Sequence, residues 1–280
     1  MKVLVTGGAG FIGSNLIKKL LNLGFHVTSL DNYSTGKVEN EHPGGIYHKG
    51  DTTEIDSLGS FDKIFHLAAL SRIQPSFNDP DETYKVNTLG TQKVCEFARK
   101  NQIKIVYAGS SSRHHDPYQS PYAACKYMGE EVCKMYKKTY GMDIEIARFY
   151  NVYGPAEIVD GDWAAVIGIW RDRIARGKKL KIVGDGEQRS DFTHVDDITE
   201  GLFRIGFRKE IHDDAWELGS GINYSINEVY QMFKEKFNCD HKYILDQKGN
   251  YRQTLRENND ALERLQWSPK DRLKEYILSL

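Results

Sequence analysis

The chain has 280 residues, of which 40% are hydrophobic and 28% are charged, and its formal net charge is -1. This length allows one large α/β domain or two moderate ones, and either can bury a core without disulfides or structural metals. A nearly neutral chain lacks the basic excess that is typical of nucleic-acid binding, so we expect no nucleic-acid partner.

Short runs rich in β-branched residues alternate with longer helical patterns in the first half of the chain. This rhythm predicts a parallel sheet with crossover helices on both faces, that is, a Rossmann-type doubly wound α/β fold. The predicted strands cover residues 2–6, 26–31, 45–50, 63–68, 104–109 and 143–149, and the predicted helices cover residues 11–24, 81–101 and 120–140.

After Tyr150 the pattern changes to loops and shorter elements. Residues 151–163 are loop-like, residues 164–177 are predicted to be helical, and residues 180–198 mix short strands with turns. No low-complexity linker separates the two halves. We therefore predict a Rossmann domain over residues 1–160 and a smaller, irregular region over residues 161–280, with some interleaving of the two.

A glycine-rich turn separates the first predicted strand from the first predicted helix. The segment "VTGGAGFIGS" satisfies the dinucleotide-binding pattern through Gly8, Gly10 and Gly13, and Gly7 gives a second match with the same later glycines. Such a turn brings backbone close to a pyrophosphate and aims helix N–H groups at its charge. An ordinary strand-to-helix turn is the alternative. The predicted cofactor contacts here are Gly7, Gly10, Phe11, Ile12 and Gly13.

Asp31 ends the second predicted strand, close to the spacing from Gly13 that suits a carboxylate on the adenosine ribose. A carboxylate there repels a 2′-phosphate, and the following "NYSTGK" offers Lys37 but no arginine. We therefore expect NAD rather than NADP. A simple turn acid is the alternative for Asp31.

Tyr122 and Lys126 lie one turn apart on the predicted helix over residues 120–140. A free tyrosine has a pKa of about 10, so as a base it needs a neighbouring ammonium or a cationic nicotinamide ring to stabilise its phenolate. Serines 110–112 end the fifth strand at the edge where doubly wound folds bind ligands. The Tyr–Lys spacing alone is a common accident, but with the glycine turn and Asp31 it predicts that Ser110, Tyr122 and Lys126 are catalytic, and that Tyr122 and Lys126 also contact the cofactor.

The four cysteines bear on the compartment. Cys95, Cys125, Cys133 and Cys239 are scattered, with no C-x-x-C pair and no zinc-type spacing, so we expect reduced thiols. The start "MKVLVTGGAG" lacks the apolar segment of a signal peptide, and no window approaches the roughly 20 apolar residues that span a bilayer. We expect a cytoplasmic protein with no membrane association.

Eight blocks, in order along nearly the whole chain, resemble the extended short-chain dehydrogenase/reductases, specifically the NAD-dependent nucleotide-sugar epimerase and dehydratase group. They are "TGGAGFIGS", "DNYSTG", "HLAALS", "NTLGT", "SPYAACK", "RFYNVYGP", "GDGEQRSDFTHVDDI" and "NYRQTL". The resemblance implies NAD as cofactor and a nucleotide sugar as substrate. It also implies that residues 161–280 mainly bind the nucleotide sugar.

The same resemblance assigns further site residues. It implies additional cofactor contacts at Asn32, Asp51, Ala68, Ala69 and Asn87, with Asn87 near the active site as a structural polar residue. It implies substrate contacts at Ser110, Ser111, Asn151, Arg189 and Arg252, where Asn151 would hold the diphosphate and the arginines would approach phosphates and ribose. Guanidinium groups pair well with phosphate, although either arginine could also be an ordinary surface cation.

The block that contains His194, Asp196 and Asp197 could suggest a metal site. In the family that it resembles, this block is a strand-to-helix connection that supports the substrate region. We therefore expect no metal.

The residues after Ser110 bear on the reaction. The resembling dehydratases and decarboxylases carry a threonine with one or more acids there, whereas this chain continues with Ser111, Ser112 and Arg113 and has no carboxylate until Asp116. This favours C4 epimerisation of a UDP-hexose or UDP-N-acetylhexosamine through a 4-keto intermediate. The alternatives are a 4-keto reductase, a 3,5-epimerase or a dehydratase on the same scaffold, or a non-catalytic NAD-binding sensor.

Two further positions bear on the sugar. The segment from Ser110 to Tyr122 is shorter than the family usually has, and it either brings His114 or His115 near the substrate or is a solvated turn. Thr254 matches a position whose bulk limits C2 substituents, and a side chain smaller than an aromatic leaves room for an N-acetyl group.

The resemblance also implies a homodimer, in which the helices over residues 81–101 and 120–140 pair across a two-fold axis. Apolar side chains on both helices permit this arrangement, but they serve equally well in the core of one subunit. They are Val94, Phe97, Met128, Val132 and Tyr136.

Overall fold

A computed structural model describes the whole chain, residues 1–280. The strands are β1 (Lys2–Thr6), β2 (His26–Asp31), β3 (Ile46–Lys49), β4 (Lys63–His66), β5 (Lys104–Ser110), β6 (Ile144–Phe149), β7 (Asn151–Tyr153), β8 (Leu180–Val183), β9 (Arg189–His194), β10 (Trp216–Leu218), β11 (Asn223–Ser225) and β12 (His241–Ile244). The helices are α1 (Phe11–Asn22), α2 (Ile73–Asn78), α3 (Pro80–Tyr84), α4 (Gly90–Asn101), α5 (Pro121–Tyr140), α6 (Val166–Ala175), α7 (Val195–Phe207), α8 (Ile226–Phe237), α9 (Asp260–Arg264) and α10 (Leu273–Ser279).

Seven parallel strands form the main sheet, in the order β3-β2-β1-β4-β5-β6-β10. The chain starts at β1, builds outward through β2 and β3, and then returns to build the other side from β4. Neighbouring loops therefore diverge between β1 and β4 and open a crevice at the carboxyl ends of the strands. The predicted fold class is confirmed.

Helices cover both faces of this sheet, so its strands are apolar on both sides. Val3 and Val5 of β1 face a core that includes α1 and α7, whereas Leu4 faces the core formed with α4 and α5. All six strands predicted in the first half are present, with ends that differ by a few residues. The helix predicted over residues 81–101 consists of α3, a π-helical stretch over Lys85–Leu89, and α4.

The second half of the chain contributes to this sheet as well as to its own core. Strand β10 pairs with β6 at the sheet edge, and α7 packs on β5 and β6. A separate apolar cluster, which includes Trp170 and Phe233, holds the short β8–β12 and β7–β9–β11 sheets together with α6, α8 and α10. These secondary sheets rise beyond the carboxyl edge of the main sheet and complete the crevice.

Three of the five apolar positions considered for a dimer interface lie inside the subunit. Val94, Phe97 and Tyr136 are each at most 5% exposed and belong to the core between the sheet and α4/α5. Other large apolar side chains on or next to these helices are exposed, namely Tyr84, Leu89, Met135 and Tyr140. Val94, Phe97 and Tyr136 are therefore not available to a dimer through this face, whereas Met128 and Val132 are half-buried.

None of the helices combines the length and apolar character that crossing a bilayer requires.

Candidate active site

A cleft of about 830 Å³ runs along the carboxyl edge of the main sheet, between it and the second half of the chain. It is lined by the ends of β1, β2, β4, β5 and β6, the loop before α6, and the C-terminal loop over residues 247–254. Fifteen predicted site residues line it: Gly7, Gly10, Phe11, Ile12, Gly13, Asp31, Asn32, Asp51, Ala68, Ala69, Ser110, Ser111, Tyr122, Lys126 and Asn151.

The glycine turn leaves the start of α1 free for an anion. No side chain caps α1 at Gly10, and its first turn carries no acid, so its first N–H groups are available to a ligand. The turn is also tightly packed: Gly7 has a φ of +74°, and a Cβ on Gly13 would lie 2.1 Å from the Gly7 carbonyl oxygen. This cradle, which a side chain would fill, fits the pyrophosphate of NAD.

Two acids lie near the carboxyl ends of β2 and β3, on the side of this cradle that we expect to bind the adenosine of NAD. Asp31 accepts hydrogen bonds from the backbone N–H of Ala9 (2.9 Å) and of Tyr33 (2.8 Å). Burial raises the pKa of Asp31, and these backbone bonds oppose that rise. Asp51 caps the short helical stretch that follows it by accepting from the Thr53 N–H (3.0 Å). Both carboxylates are thus fixed in place and suited to receive ribose or base donors.

The predicted catalytic hydroxyls meet inside the cleft. The Tyr122 hydroxyl donates to Ser110 Oγ at 3.2 Å, and the Ser112 N–H donates to the same oxygen at 3.2 Å. Ser120 caps the N-terminus of α5, and the Tyr122 N–H donates to Ser76 Oγ of α2 at 3.1 Å. The end of β5 and the first turn of α5 therefore hold the two hydroxyls against each other.

Two cations, Arg72 and Lys126, lie in the part of the cleft that contains Tyr122. Burial raises the pKa of Tyr122, and the bond to Ser110 and the positive charge of Arg72 oppose that rise. Lys126 instead donates to the Ala108 carbonyl at the end of β5, with its ammonium 4.5 Å from the Tyr107 ring centre. Burial lowers the pKa of Lys126 to about 8. Arg72, which the sequence did not reveal, is thus a cation whose charge opposes the rise in the pKa of Tyr122 in the protein alone.

Asn87 lies outside the lining of the cleft. Its buried amide accepts from the Leu70 N–H (2.8 Å) and donates to the Leu70 carbonyl (2.9 Å). It fixes the loop after β4, which matches the structural polar part of the expectation but places no side-chain atom on the cofactor surface.

The two predicted phosphate arginines also point elsewhere. Arg189 pairs with Glu228 at 2.9 Å, and Arg252 pairs with Asp185 at 2.8 Å. Neither guanidinium lines the cleft, although their backbones are joined by a hydrogen bond from the Arg189 N–H to the Arg252 carbonyl (3.0 Å). Surface carboxylates thus satisfy both side chains in this structure.

Asn151 meets the C-terminal loop. Its amide donates to Thr254 Oγ1 at 3.1 Å, and the same hydroxyl accepts from the Asp191 N–H at 3.2 Å. Thr254 lines the cleft and is 8% exposed. The position that the resemblance connects with C2 substituents therefore contacts the residue expected to hold the diphosphate.

The short segment after Ser110 is exposed over much of its length but is anchored at two points. His114 Nε2 lies 3.0 Å from Glu217 Oε1, and the His115 ring stacks on Tyr251 with centres 4.0 Å apart and planes 10° apart. Neither histidine lines the cleft, but Tyr251 does, and its buried hydroxyl has no hydrogen-bond partner. Both histidines thus contact other residues of the protein, His114 while its side chain is 47% exposed, and the pair is connected to the cleft through Tyr251.

The residues considered for a metal hold the fold together. His194 accepts from the Asp196 N–H (3.2 Å) as the cap of α7, and Asp197 pairs with Arg272 (2.7 Å). The chain contains no group of three or more histidine, cysteine or acidic side chains that could hold a metal ion.

Comparison with known proteins decides the family. Residues 3–219 match the model of the "NAD dependent epimerase/dehydratase family". The chain belongs to this family. The family resemblance is thus confirmed, and the cofactor is NAD. The relatives of this chain include both epimerases and decarboxylases of UDP-sugars. Membership of the family therefore supports the interpretation that this protein is an enzyme that acts on a nucleotide sugar.

Three relatives illustrate this range. A putative UDP-glucose 4-epimerase of Methanocaldococcus jannaschii is 32% identical over 98% of this chain and 95% of its own. UDP-glucuronic acid decarboxylase 1 of Arabidopsis thaliana is 28% identical over 98% of this chain and 68% of its own. The crystal structure of a Thermotoga maritima UDP-glucose 4-epimerase with UDP-glucose has a TM-score of 0.92 and 29% identity, covering 99% of this chain and 96% of that one.

Sequence reasoning missed many of the side chains that line the cleft of this epimerase/dehydratase family member. Among them are Arg72, Trp163 and Tyr251. Arg72 had a usable signal, because it follows the "HLAALS" block at the carboxyl end of β4, where side chains face the crevice. Trp163 and Tyr251 come from loops whose direction no local pattern indicates.

Proposed function

We propose that the protein is an NAD-dependent 4-epimerase of a UDP-hexose or a UDP-N-acetylhexosamine. The observation that carries the proposal is the contact of the Tyr122 hydroxyl with Ser110 Oγ at 3.2 Å, in a cleft where no carboxylate follows Ser110. Arg113 turns away to pair with Glu131 at 2.8 Å, and the first acid, Asp116, caps the next short helix. The segment thus offers an acid/base group for the hydroxyl but no acid for elimination.

The chemistry follows from these two hydroxyls. Tyr122, as phenolate, accepts the proton of the sugar 4-hydroxyl, while the Ser110 hydroxyl hydrogen-bonds the same oxygen. When bound, NAD supplies the hydride acceptor for C4 and the donor that returns the hydride. The 4-keto sugar then turns over in the cleft, so that the opposite face of C4 receives the returning hydride, and Tyr122 gives its proton back to the C4 oxygen.

The protein must favour the phenolate for this step. Burial keeps Tyr122 neutral in the protein alone, since it raises its pKa. Arg72 opposes that effect with a positive charge, and the hydrogen bond to Ser110 acts in the same direction. We propose that Lys126, whose ammonium donates to the Ala108 carbonyl near the end of β5, contacts the nicotinamide ribose.

The substrate end of the cleft supports a sugar nucleotide. We propose that Asn151 holds the diphosphate and that Ser110 and Ser111 contact the sugar. Arg189 and Arg252 would reach phosphate only after leaving their partners Glu228 and Asp185. Thr254, which is smaller than an aromatic residue, leaves space for an N-acetyl group.

We also propose a cytoplasmic homodimer. Four free cysteines suit a reducing compartment, and Tyr84, Leu89, Met135 and Tyr140 supply an apolar face for a second copy. Light scattering of the purified protein tests the dimer, since a monomer at micromolar concentration contradicts it.

The test of the function is product analysis. Purified protein is incubated with UDP-glucose, UDP-N-acetylglucosamine, UDP-glucuronate and GDP-mannose without added NAD, and the products are separated. A C4 epimer of a UDP-sugar supports the proposal. A UDP-pentose indicates a decarboxylase instead, and no turnover by protein that holds NAD indicates the non-catalytic sensor.

A tyrosine pair provides the matched variants. Tyr122→Phe should abolish turnover and retain NAD, because it removes only the acid/base hydroxyl. Tyr118→Phe changes a tyrosine four positions earlier that is 91% exposed, and it should retain full activity. Turnover by Tyr122→Phe at the wild-type rate contradicts the assigned base.

A further inference from the structure

A network of charged side chains lies behind the wall of the cleft at the end of β5. Ion pairs connect its members, which are the acids Glu130, Glu131, Asp214 and Glu217, the cations Arg113, Lys134 and Arg148, and His114. This charge network touches the wall directly, because a Cβ on Gly109, which lines the cleft, would lie 2.8 Å from Glu130 Oε1. A change of charge in the network therefore acts on the cleft over a short distance.

The lysine and arginine charges of the network do not balance its acids. Four carboxylates face three such cations, so the network carries one excess negative charge unless His114 is protonated. Glu217 shares Arg148 (2.9 Å) with two other acids, and the one further cation that it can meet is His114 (3.0 Å). Its side chain is 4% exposed, and a buried carboxylate is costly without a cation of its own. A protonated His114 supplies that cation.

Three charged groups on three different elements act on His114. Glu217 of β10, which shares a hydrogen bond with it, and Glu130 of α5 raise its pKa, whereas burial and Arg148 of β6 lower it, and the rise prevails. Burial, together with the charge of His114, lowers the pKa of the neighbouring His115. His114 therefore changes its charge in the physiological range of pH, at a higher pH than an ordinary histidine does.

His114 is connected to the cleft wall along two short paths. It is the last residue of the single helical turn over Ser111–His114, and the first residue of that turn lines the cleft. Its Nε2 lies 3.0 Å from Glu217 Oε1, and Glu217 Oε2 accepts from the hydroxyl of Tyr150, which also lines the cleft, at 3.0 Å. The contact between His114 and Glu217 thus joins two segments of the wall, one after β5 and one between β6 and β7.

We propose that His114 is a positioning residue for the UDP-sugar, which binds more tightly when His114 carries a proton. A charged histidine holds Glu217 more strongly than a neutral one does, and it thereby fixes Ser111 and Tyr150 in the wall. It also removes the excess negative charge behind the wall, next to which Asn151 is proposed to hold the anionic diphosphate. The inference rests on the proposed function for the substrate, a UDP-sugar.

The effect falls on binding rather than on the chemical step. Ser110 is held by the pairing of β5 with β6 and by its contact with Tyr122, and neither of these depends on His114. Loss of the proton on His114 should therefore raise the KM for the UDP-sugar and leave kcat within about twofold.

Binding measurements on holoenzyme test the inference without turnover. In the Tyr122→Phe background, dissociation constants for UDP-glucose and UDP-N-acetylglucosamine are measured at about pH 6 and about pH 9. His114→Gln, which keeps a neutral donor, should bind about threefold to fivefold more weakly than its parent at the lower pH and equally well at the higher pH. Comparison at each pH cancels the contribution of Lys126, whose pKa of about 8 lies in the same range.

Two further measurements identify His114 as the titrating group. His114→Lys, which is charged at both pH values, should bind more tightly than His114→Gln at both. Calorimetric titrations in buffers of different ionisation enthalpy should show proton uptake when the sugar nucleotide binds to the parent, and less uptake with His114→Gln, because linkage is reciprocal.

His115→Gln is the matched control. His115 is the next residue in the chain, but its ring stacks on Tyr251 and does not meet Glu217. This variant should retain the pH dependence of binding, even if it weakens binding at every pH.

The inference is overturned if His114→Gln binds both sugar nucleotides as tightly as its parent at the lower pH. A purely structural His114 gives that result together with a lower unfolding temperature. A UDP-sugar that binds with the expected pH dependence but yields no C4 epimer with the otherwise wild-type enzyme contradicts the proposed function and leaves the role of His114 intact. Holoenzyme that binds neither sugar nucleotide contradicts both.

Discussion

Gly13→Ala should separate cofactor binding from the stability of the fold. A Cβ at this position would lie 2.1 Å from the Gly7 carbonyl oxygen, 2.8 Å from Gly8 Cα and 2.9 Å from the Gly7 carbonyl carbon. All three are backbone atoms of the cofactor turn, so the turn itself must move by about 1 Å to reach ordinary contact distance. Overpacking of this kind costs about 1–3 kcal/mol.

That strain appears chiefly when NAD binds, because the turn can relax outward in the free protein but must return to receive the pyrophosphate. A cost of about 1–3 kcal/mol corresponds to a dissociation constant for NAD that is about fivefold to a hundredfold higher. Calorimetric titration of NAD into protein stripped of cofactor measures it, with thermal unfolding recorded in parallel.

Gly59→Ala is the control for this experiment. A Cβ on Gly59 meets no atom within 4 Å, and its φ lies outside the left-handed region, so both NAD affinity and unfolding temperature should stay close to wild type. The reasoning fails if Gly13→Ala binds NAD within about twofold of wild type, since the close approach would then place no constraint on the cofactor turn.

Three further predictions concern the end of β5 and the segment after it. His114→Ala should lower the unfolding temperature below about pH 6.5 and have little effect by pH 9. The hydrogen bond to Glu217 raises the pKa of His114, so the stabilising charge of His114 is lost as the pH rises through that pKa. An equal loss of unfolding temperature at both pH values contradicts this prediction. His115→Ala should lower the free energy of unfolding by about 0.5–1.5 kcal/mol, whereas Tyr251→Phe, which keeps the stacked pair, should lower it less. Denaturant unfolding of both variants measures these losses, and equal losses contradict a stabilising role of the stack. Ser110→Ala should lower kcat about a hundredfold and leave NAD affinity unchanged. Steady-state kinetics and a cofactor titration measure the two quantities, and a wild-type kcat would refute the prediction.

Local rules explain which parts of the site were predictable from the sequence. Gly13 lies in the first turn of the helix that follows β1, Asp31 and Ser110 end strands, and Tyr122 and Lys126 are one helical turn apart. Each position depends on residues close in the chain, and parallel strands deliver their carboxyl ends to one edge. The structure therefore brings all of these residues to one cleft.

Long-range side-chain contacts explain what was not predictable. Arg252 was expected on a phosphate, but Asp185 pairs with it from a distant turn. The stack of His115 on Tyr251 joins two loops far apart in the chain, and no periodicity reports such a contact. Strand β10, with three residues, is too short to give a pattern of its own, and only its pairing with β6 identifies it as part of the main sheet.

The claim that C4 is oxidised and then reduced within one cleft is tested most directly with a UDP-sugar that carries deuterium at C4. The substrate is incubated with the enzyme to equilibrium, and the C4 epimer is isolated and examined by NMR and mass spectrometry. We expect the epimer to retain deuterium at C4, because the hydride that leaves this carbon is the one that returns. An epimer that has exchanged this deuterium for solvent hydrogen would contradict the account.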